Sequence, residues 1–220
     1  MTIESISLHR VLPFVFHGSE NESSVKDSLR WMREVTFTRG RDYLIEATSG
    51  AGKSSLCSFI YGLRSDYDGH IMIGERDART LSPHDWSELR CNSIAYLPQQ
   101  LALFPELTVM ENIHIKNRLT GFKSVNEIRA MLESLAIDGK ADEPVGRLSV
   151  GQQQRVALIR ALCQPFSFIL LDEPVSHLDA TNNKVAASMV VAEARRQGAA
   201  IIATSVGNHI DIDDFTVMRL

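Results

Sequence analysis

The sequence predicts an α/β fold in a single domain over residues 1–220: a mostly parallel core sheet, an N-terminal antiparallel β-subdomain and a helical subdomain inserted at about residues 101–155. Three observations predict it. After residue 90, short apolar runs alternate with stretches of helical apolar spacing, the pattern of strands buried on both faces of a parallel sheet. Residues 2–46 read instead as β-structure with a half-buried alternation. Between the two, an apolar run, a glycine-containing loop and a helical segment follow one another directly over residues 43–63.

Taken in order, Leu29, Trp31, Val35 and Phe37 fall on one face of an extended segment, with Arg33 as a polar exception. The polar stretch from Gly18 to Ser24 predicts a hairpin loop, and Arg39-Gly40-Arg41 a tight turn into the strand at Tyr43–Ala47. Leu56, Phe59, Ile60 and Leu63 then have helical spacing. Asp68-Gly69 predicts a turn feeding a short strand at His70–Ile73. Leu81–Leu89 reads as a helix with Ser82 as its N-cap and Pro83 at the first helical position. Ser93–Leu97 is a strand ended by Pro98-Gln99-Gln100, and helical periodicity returns at Val109–Leu119 and Val125–Leu135. Further helices are expected at Leu148–Leu162, starting from Ser149, and at Leu178–Gln197, starting after Asp179 and ended by Gly198. Phe166–Leu171, Ala199–Thr204 and Phe215–Leu220 are the remaining strands.

The chain of 220 residues is 44% apolar, enough for one sizeable core. A formal net charge of −4 gives no support for a nucleic-acid partner or an electrostatic membrane anchor. Cys57, Cys91 and Cys163 are widely spaced and odd in number, which fits core filler in a reducing compartment rather than a disulfide framework or a metal site. Met1–Arg10 lacks a basic start followed by a long apolar run, so no secretory signal is expected. The apolar runs at Phe168–Leu171 and Ala199–Ala203 are far too short to span a bilayer.

The chemistry-bearing stretch is Ala47-Thr48-Ser49-Gly50-Ala51-Gly52-Lys53-Ser54-Ser55. It has the composition and the strand–loop–helix context of a phosphate-binding loop, although the pattern's usual first glycine is Ala47. Gly50 and Gly52 let successive N–H groups turn into one concavity, and the helix start adds its positive end. Lys53 supplies a full charge for the outer phosphates, and the Ser54 hydroxyl is placed to ligate Mg²⁺. The alternative is a plain strand–turn–helix corner. A second motif, Phe168-Ile169-Leu170-Leu171-Asp172-Glu173, is a buried strand ending in two carboxylates. Asp172 would orient the Mg²⁺ shell and Glu173 would polarise an attacking water as general base.

The run Leu148-Ser149-Val150-Gly151-Gln152 allows a capping box between Ser149 and Gln152. It also closely resembles the signature sequence of ABC ATPases, normally Leu-Ser-Gly-Gly-Gln. Gln99, ahead of Leu103-Phe104-Pro105 and Leu107–Asn112, resembles that family's Q-loop, and Ser176-His177-Leu178-Asp179 resembles its D-loop. The resemblance implies a P-loop NTPase that hydrolyses ATP with Mg²⁺. Two ATP molecules would be sandwiched between head-to-tail subunits, with itself or with a different second ATPase as partner. It implies Lys53, Gln99 and Glu173 as catalytic residues and Ser54, Gln99 and Asp172 at the metal. Nucleotide contacts would come from Ser49, Gly50, Ala51, Gly52, Lys53, Ser54 and Ser55, and from Ser149, Gly151 and Gln152 across the interface. It further implies a separately encoded transmembrane permease, and hence a peripheral position on the cytoplasmic face of a membrane. The compact form is similar to lipoprotein-release, macrolide-export and cell-division ATPases.

The sequence departs from the family at three points: Ala47, Val150, and Ser205, which stands where a histidine that contacts the γ-phosphate is usual. His209 lies four residues further on, and Phe14 and Phe16 are the nearest aromatic candidates for stacking on adenine. Binding with attenuated turnover is the expectation. The alternatives are a subunit that binds ATP without hydrolysing it and a soluble ABC protein outside transport.

Overall fold

The computed structural model describes residues 2–18 and 31–220. These residues build two sheets. Strands β1 (Ser5–Pro13), β2 (Glu34–Thr38), β4 (Tyr67–Ile73) and β5 (Arg76–Asp77) form an antiparallel sheet in the order β2-β1-β4-β5. Strands β3 (Tyr43–Glu46), β6 (Ile94–Leu97), β7 (Phe168–Asp172), β8 (Ala200–Ser205) and β9 (Thr216–Arg219) form the second sheet in the order β6-β7-β8-β3-β9, and every pairing in it is parallel.

Both faces of the parallel sheet are covered, as its unbroken apolar runs require. Phe168, Leu170, Ala200 and Ile202 point to one side. There they join Leu56, Phe59 and Ile60 of helix α1 (Lys53–Ile60) and the inner face of the antiparallel sheet. Ile169, Leu171, Ile201 and Ala203 point to the other. They pack with helices α3 (Val109–Asn117), α4 (Val125–Ser134), α5 (Val150–Leu162) and α6 (Ala180–Gln197). Residues of the expected helical insertion therefore share one hydrophobic cluster with the core strands. A buried ion pair, Lys123 Nζ to Glu193 Oε2 at 2.7 Å, fastens the α3–α4 connection to α6.

The helix starts follow local hydrogen-bonding chemistry. Ser82, Thr108, Ser124 and Ser149 each close a capping box with the acidic or amide side chain three residues on, starting α2 (Pro83–Asn92), α3, α4 and α5. Asp179 caps α6, which ends at Gly198 with φ +59°.

Four local expectations are corrected. Trp31 is buried, but β2 begins only at Glu34, and Met32 has φ +59°, which breaks an extended run through residues 29–38. Leu29 and the loop at residues 19–24 lie outside the described residues. Leu63 falls beyond α1 and is 58% exposed, because the helix closes at Tyr61-Gly62. Asp68-Gly69 is not a turn: β4 runs through it, and Arg10-Val11 of β1 bulge opposite Gly69. Cys91 is only half-buried, unlike Cys57 and Cys163. Burial raises the thiol pKa of Cys57 and pushes that of Cys163 up to about 12.

Gly69 has φ +80°, and a Cβ there would lie 2.4 Å from the carbonyl oxygens of His9 and Arg10. Gly69→Ala is therefore expected to destabilise the fold by more than about 2 kcal/mol, which lowers the thermal midpoint of a chain this size by about 5 °C or more. An unchanged midpoint in differential scanning calorimetry would show that the bulge can relax around a side chain.

Candidate functional site

The parallel sheet sends the C-terminal ends of its strands to one edge, and the candidate residues collect there. β3 leads into the glycine loop, β6 into Gln99, β7 into Glu173, and β8 ends at Ser205. No helix of the described residues is long and apolar enough to cross a membrane.

The glycine loop is built around its lysine. Gly50 and Gly52 have φ +84° and +94°, and Gly52 caps α1 without any side-chain hydrogen bond, leaving the first amides of the helix open to an anion. Ala47 keeps a negative φ, so the first position of the loop needs no glycine. Lys53 is 5% exposed; its ammonium donates to the carbonyls of Thr48 at 2.9 Å and Ala47 at 3.3 Å and stands 3.9 Å from Glu173 Oε1. Burial lowers its pKa, and the carboxylates of Glu173 and Asp172 oppose that shift.

Gln99 joins the two halves of the site. Its Nε2 donates to Glu173 Oε2 at 3.2 Å, and its Oε1 accepts from the Ser54 hydroxyl at 3.4 Å. Asp172 is 2% exposed and accepts from Thr204 Oγ1 at 2.8 Å; the same Thr204 oxygen accepts from the Glu173 amide at 3.1 Å. Glu173 has φ +51°, a left-handed conformation uncommon for residues other than glycine. Lys53, Ser54, Gln99, Asp172 and Glu173 are thus brought together as the sequence predicted. A hydroxyl, an amide oxygen and a carboxylate are hard oxygen donors of the kind that suit Mg²⁺, which commonly retains several waters.

Other expected residues lie elsewhere. Ser149 accepts from the Gln152 amide at 3.3 Å, and the Gln152 side chain accepts from the Ser149 amide at 2.9 Å, so the capping box is formed. A Cβ at Gly151 would come 2.7 Å from His177 O, so close approach to the loop after β7 requires glycine there. Among the described residues, Ser149, Gly151 and Gln152 make no hydrogen bond to the glycine loop. Ser49 is exposed at the loop tip, Ala51 is buried, and Ser55 accepts from Arg64 at 3.0 Å. Ser205 is 1% exposed, and its hydroxyl donates to Asn208 O at 3.0 Å. His209 is exposed and donates from Nδ1 to Ile210 O at 3.0 Å, while Asn183 holds its carbonyl at 3.0 Å.

Three contributors escaped the sequence reading. Trp31 Nε1 donates to Ala51 O at 3.0 Å, and a Cβ on Gly52 would meet the Trp31 ring at 2.9 Å and the Phe16 ring at 3.3 Å. Phe16, not Phe14, therefore lies against the loop, whereas Phe14 contacts His17. Gln154 donates to Glu173 O at 3.1 Å and accepts from His177 N at 3.0 Å, tying α5 to the loop after β7. Thr204 is the third. Nothing in the spacing of these residues marks them, since their roles depend on contacts between distant segments. Beside the site, a cleft of about 520 Å³ is lined by Ser54, Tyr61, Tyr96, Gln99, Lys116 and Asp172, among others.

Residues 33–176 match the family described as ABC transporter. The chain is 33% identical over 165 residues to the ABC transporter ATP-binding protein YtrE of Bacillus subtilis, covering 74% of this chain and 70% of that protein. It is 28% identical over 196 residues to the lipoprotein-releasing system ATP-binding protein LolD of Shewanella denitrificans, covering 87% and 82%. With the molybdate/tungstate import ATP-binding protein WtpC of Pyrococcus horikoshii it shares 37% identity over 164 residues, 72% of this chain but only 46% of that protein. A dimeric structure of the ATP-binding cassette MJ0796 bound to ADP and Pi superposes with a TM-score of 0.74 at 23% identity, over 92% of this chain and 88% of the other, a likeness of fold.

Thr204→Val removes the one hydroxyl shared by Asp172 and the Glu173 amide. The expected loss of stability is about 1–3 kcal/mol, because two buried polar groups lose a partner, and Thr204→Ser should restore most of it. Urea denaturation measures both; a valine variant within about 0.5 kcal/mol of the parent would mean the hydroxyl does not hold this strand end together.

Proposed function

The chain belongs to the ABC transporter family of ATP-binding ATPases, and we propose that it is the ATP-hydrolysing subunit that drives a separately encoded membrane permease. The observation that carries this reading is the convergence of Lys53, Ser54, Gln99 and Glu173 at the open start of α1. The α1 amides and Lys53 would hold the ATP phosphates. Ser54, Gln99 and Asp172 would hold Mg²⁺, which when bound supplies charge neutralisation to the phosphates. Glu173 would take a proton from water as its oxygen bonds to the γ-phosphorus and the bond to the ADP oxygen breaks. The Gln99 amide, already on Glu173, would orient that carboxylate.

Among the described residues, Ser149, Gly151 and Gln152 make no hydrogen bond to their own glycine loop, which supports a head-to-tail dimer in which they complete the second subunit's site. They stand at the positive N-terminal end of α5, where the capping box occupies the Ser149 and Gln152 amides and leaves that of Gly151 for a phosphate. The LolD relative favours the compact subgroup. Exposed Leu63 and Ile115 beside the cleft at Gln99 offer apolar surface for a permease segment, which would place the subunit at the membrane face.

One observation favours a second reading, an ATP-binding subunit that does not hydrolyse. Ser205 stands where the usual histidine would act, and its hydroxyl is turned to Asn208 instead. Loss of a positioned donor typically costs about 10²–10³ in rate, so slow turnover is the expected behaviour. Steady-state Mg-ATP hydrolysis should exceed that of Glu173→Gln by about 10² or more, while Ser205→Ala stays within about threefold of the parent because its hydroxyl is already engaged. Equal rates for the parent and Glu173→Gln, with ATP still bound, would favour the second reading. A large loss in Ser205→Ala would show that its hydroxyl reaches the reaction.

A further inference from the structure

The segment after Gln99 is held in a conformation that its sequence disfavours. Leu101 and Ala102 have φ +58° and +50°, two consecutive left-handed residues of which neither is glycine. Each is disfavoured by about 5- to 30-fold relative to ordinary backbone. Bonds within the turn, Leu101 N to Pro98 O at 2.9 Å and Ala102 N to Gln100 O at 2.6 Å, fix its shape locally. The two left-handed residues present their carbonyls to a single guanidinium: Arg160 Nη2 donates to Leu101 O at 2.6 Å and Nη1 to Ala102 O at 2.7 Å. Among the described residues, no carboxylate pairs with Arg160. Its charge is directed at these carbonyls.

We infer that Arg160 is the positioning residue for Gln99: it holds Leu101 and Ala102 in their left-handed turn and so keeps the Gln99 amide between Ser54 and Glu173. The planar fork sets two donors on separate nitrogens at a fixed spacing, one for each carbonyl; lysine gathers its donors on a single nitrogen and cannot match that spacing. Arg160 lies on α5, the helix that starts at Ser149, so one rigid element carries the signature residues at its first turn and the Gln99 latch near its end. A shift of α5 would change both together. Without the latch the turn relaxes to ordinary φ values, and the Gln99 side chain loses its registration on Glu173.

The functional part of this inference rests on the hydrolysis reading above, in which Gln99 orients Glu173. Among the described residues Arg160 makes no hydrogen bond to the glycine loop or Lys53, and Ser54 and Asp172 remain for Mg²⁺ when Gln99 is displaced, so nucleotide affinity should be largely spared. The test compares Arg160→Met, Arg160→Lys, Ala102→Gly and the double variant Arg160→Met/Ala102→Gly for kcat, for KM towards Mg-ATP, and for amide hydrogen exchange over residues 98–104. Arg160→Met is expected to lower kcat by about 10- to 100-fold with KM within about threefold, and Arg160→Lys to fall nearly as far. The amides of Leu101 and Ala102 should exchange about tenfold faster or more. Ala102 is exposed and glycine adopts positive φ freely, so Ala102→Gly alone should match the parent and, in the double variant, recover part of the lost kcat. An unchanged kcat, or unchanged exchange, overturns the inference. So does a joint fall in kcat, ATP affinity and thermal midpoint that Ala102→Gly does not relieve, which would make Arg160 a general support of the fold. If the parent shows no turnover above Glu173→Gln, the hydrolysis reading fails by itself, and the exchange rates alone decide whether Arg160 holds the turn.

Discussion

Strands hydrogen-bonded in parallel must all finish on the same edge of their sheet, and this protein's chemistry depends on that constraint. Gln99, Glu173, Ser205 and the glycine loop are far apart in sequence, yet β6, β7, β8 and β3 deliver them side by side. The sheet can impose the arrangement because it is rigid: the residues of β7 and β8 are buried, and both faces are covered. A buried strand tolerates little displacement without opening voids or breaking ladder bonds. The positions of the carboxylates at its end inherit that stiffness.

Rigidity also explains how unfavourable local states persist at this edge. Lys53 is buried among carbonyls, and burial alone works against its charge. Its charge is retained by the nearby carboxylates and by two carbonyl acceptors. Glu173, Leu101 and Ala102 all occupy left-handed backbone, and all three are next to or within the segments that hold the candidate catalytic groups. Each is fixed from outside its own segment, Glu173 by Thr204 and Gln154 and the other two by Arg160. Helix α5 supplies both Gln154 and Arg160, so one helix braces the two loops whose side chains meet at Gln99 and Glu173.

Those braces also mark the boundary of what the sequence could disclose. Local chemistry was legible: caps at Ser82, Ser149 and Asp179, the stop at Gly198, the glycine loop and the buried strands follow from residues a few positions apart. The clustering of Lys53, Ser54, Gln99, Asp172 and Glu173 was legible because their motifs imply a common sheet edge. Trp31, Thr204 and Gln154 were not, because each acts on a segment that no local pattern connects to it. The misreading of Asp68-Gly69 has a similar origin. The pair carries an ordinary turn signal, but pairing with β1 continues through it, and the positive φ of Gly69 serves a bulge instead. Leu63 was placed on the helical face by spacing, whereas Gly62, with φ +70° and a site for Cβ 2.7 Å from the Trp86 ring, closes the helix before it.

The three departures from the family pattern differ in physical kind, although in sequence they look alike. Ala47 keeps a negative φ, so a methyl group there leaves the loop undisturbed. Val150 is half exposed in the first turn of α5, with Ser149 still capping the helix; the glycine that close packing requires is the next one, Gly151. Neither change removes a side-chain donor, since the glycine that is usual at each position has none to offer. Ser205 is different. It is buried, its hydroxyl is committed to Asn208, and its own carbonyl accepts from Ala47 N at 3.3 Å, so its side chain faces back into its own loop. His209 offers no ready substitute, since its ring donates to Ile210 O and its carbonyl is held by Asn183. The slow turnover proposed for this subunit therefore depends on Ser205 alone, through a missing donor rather than a distorted fold.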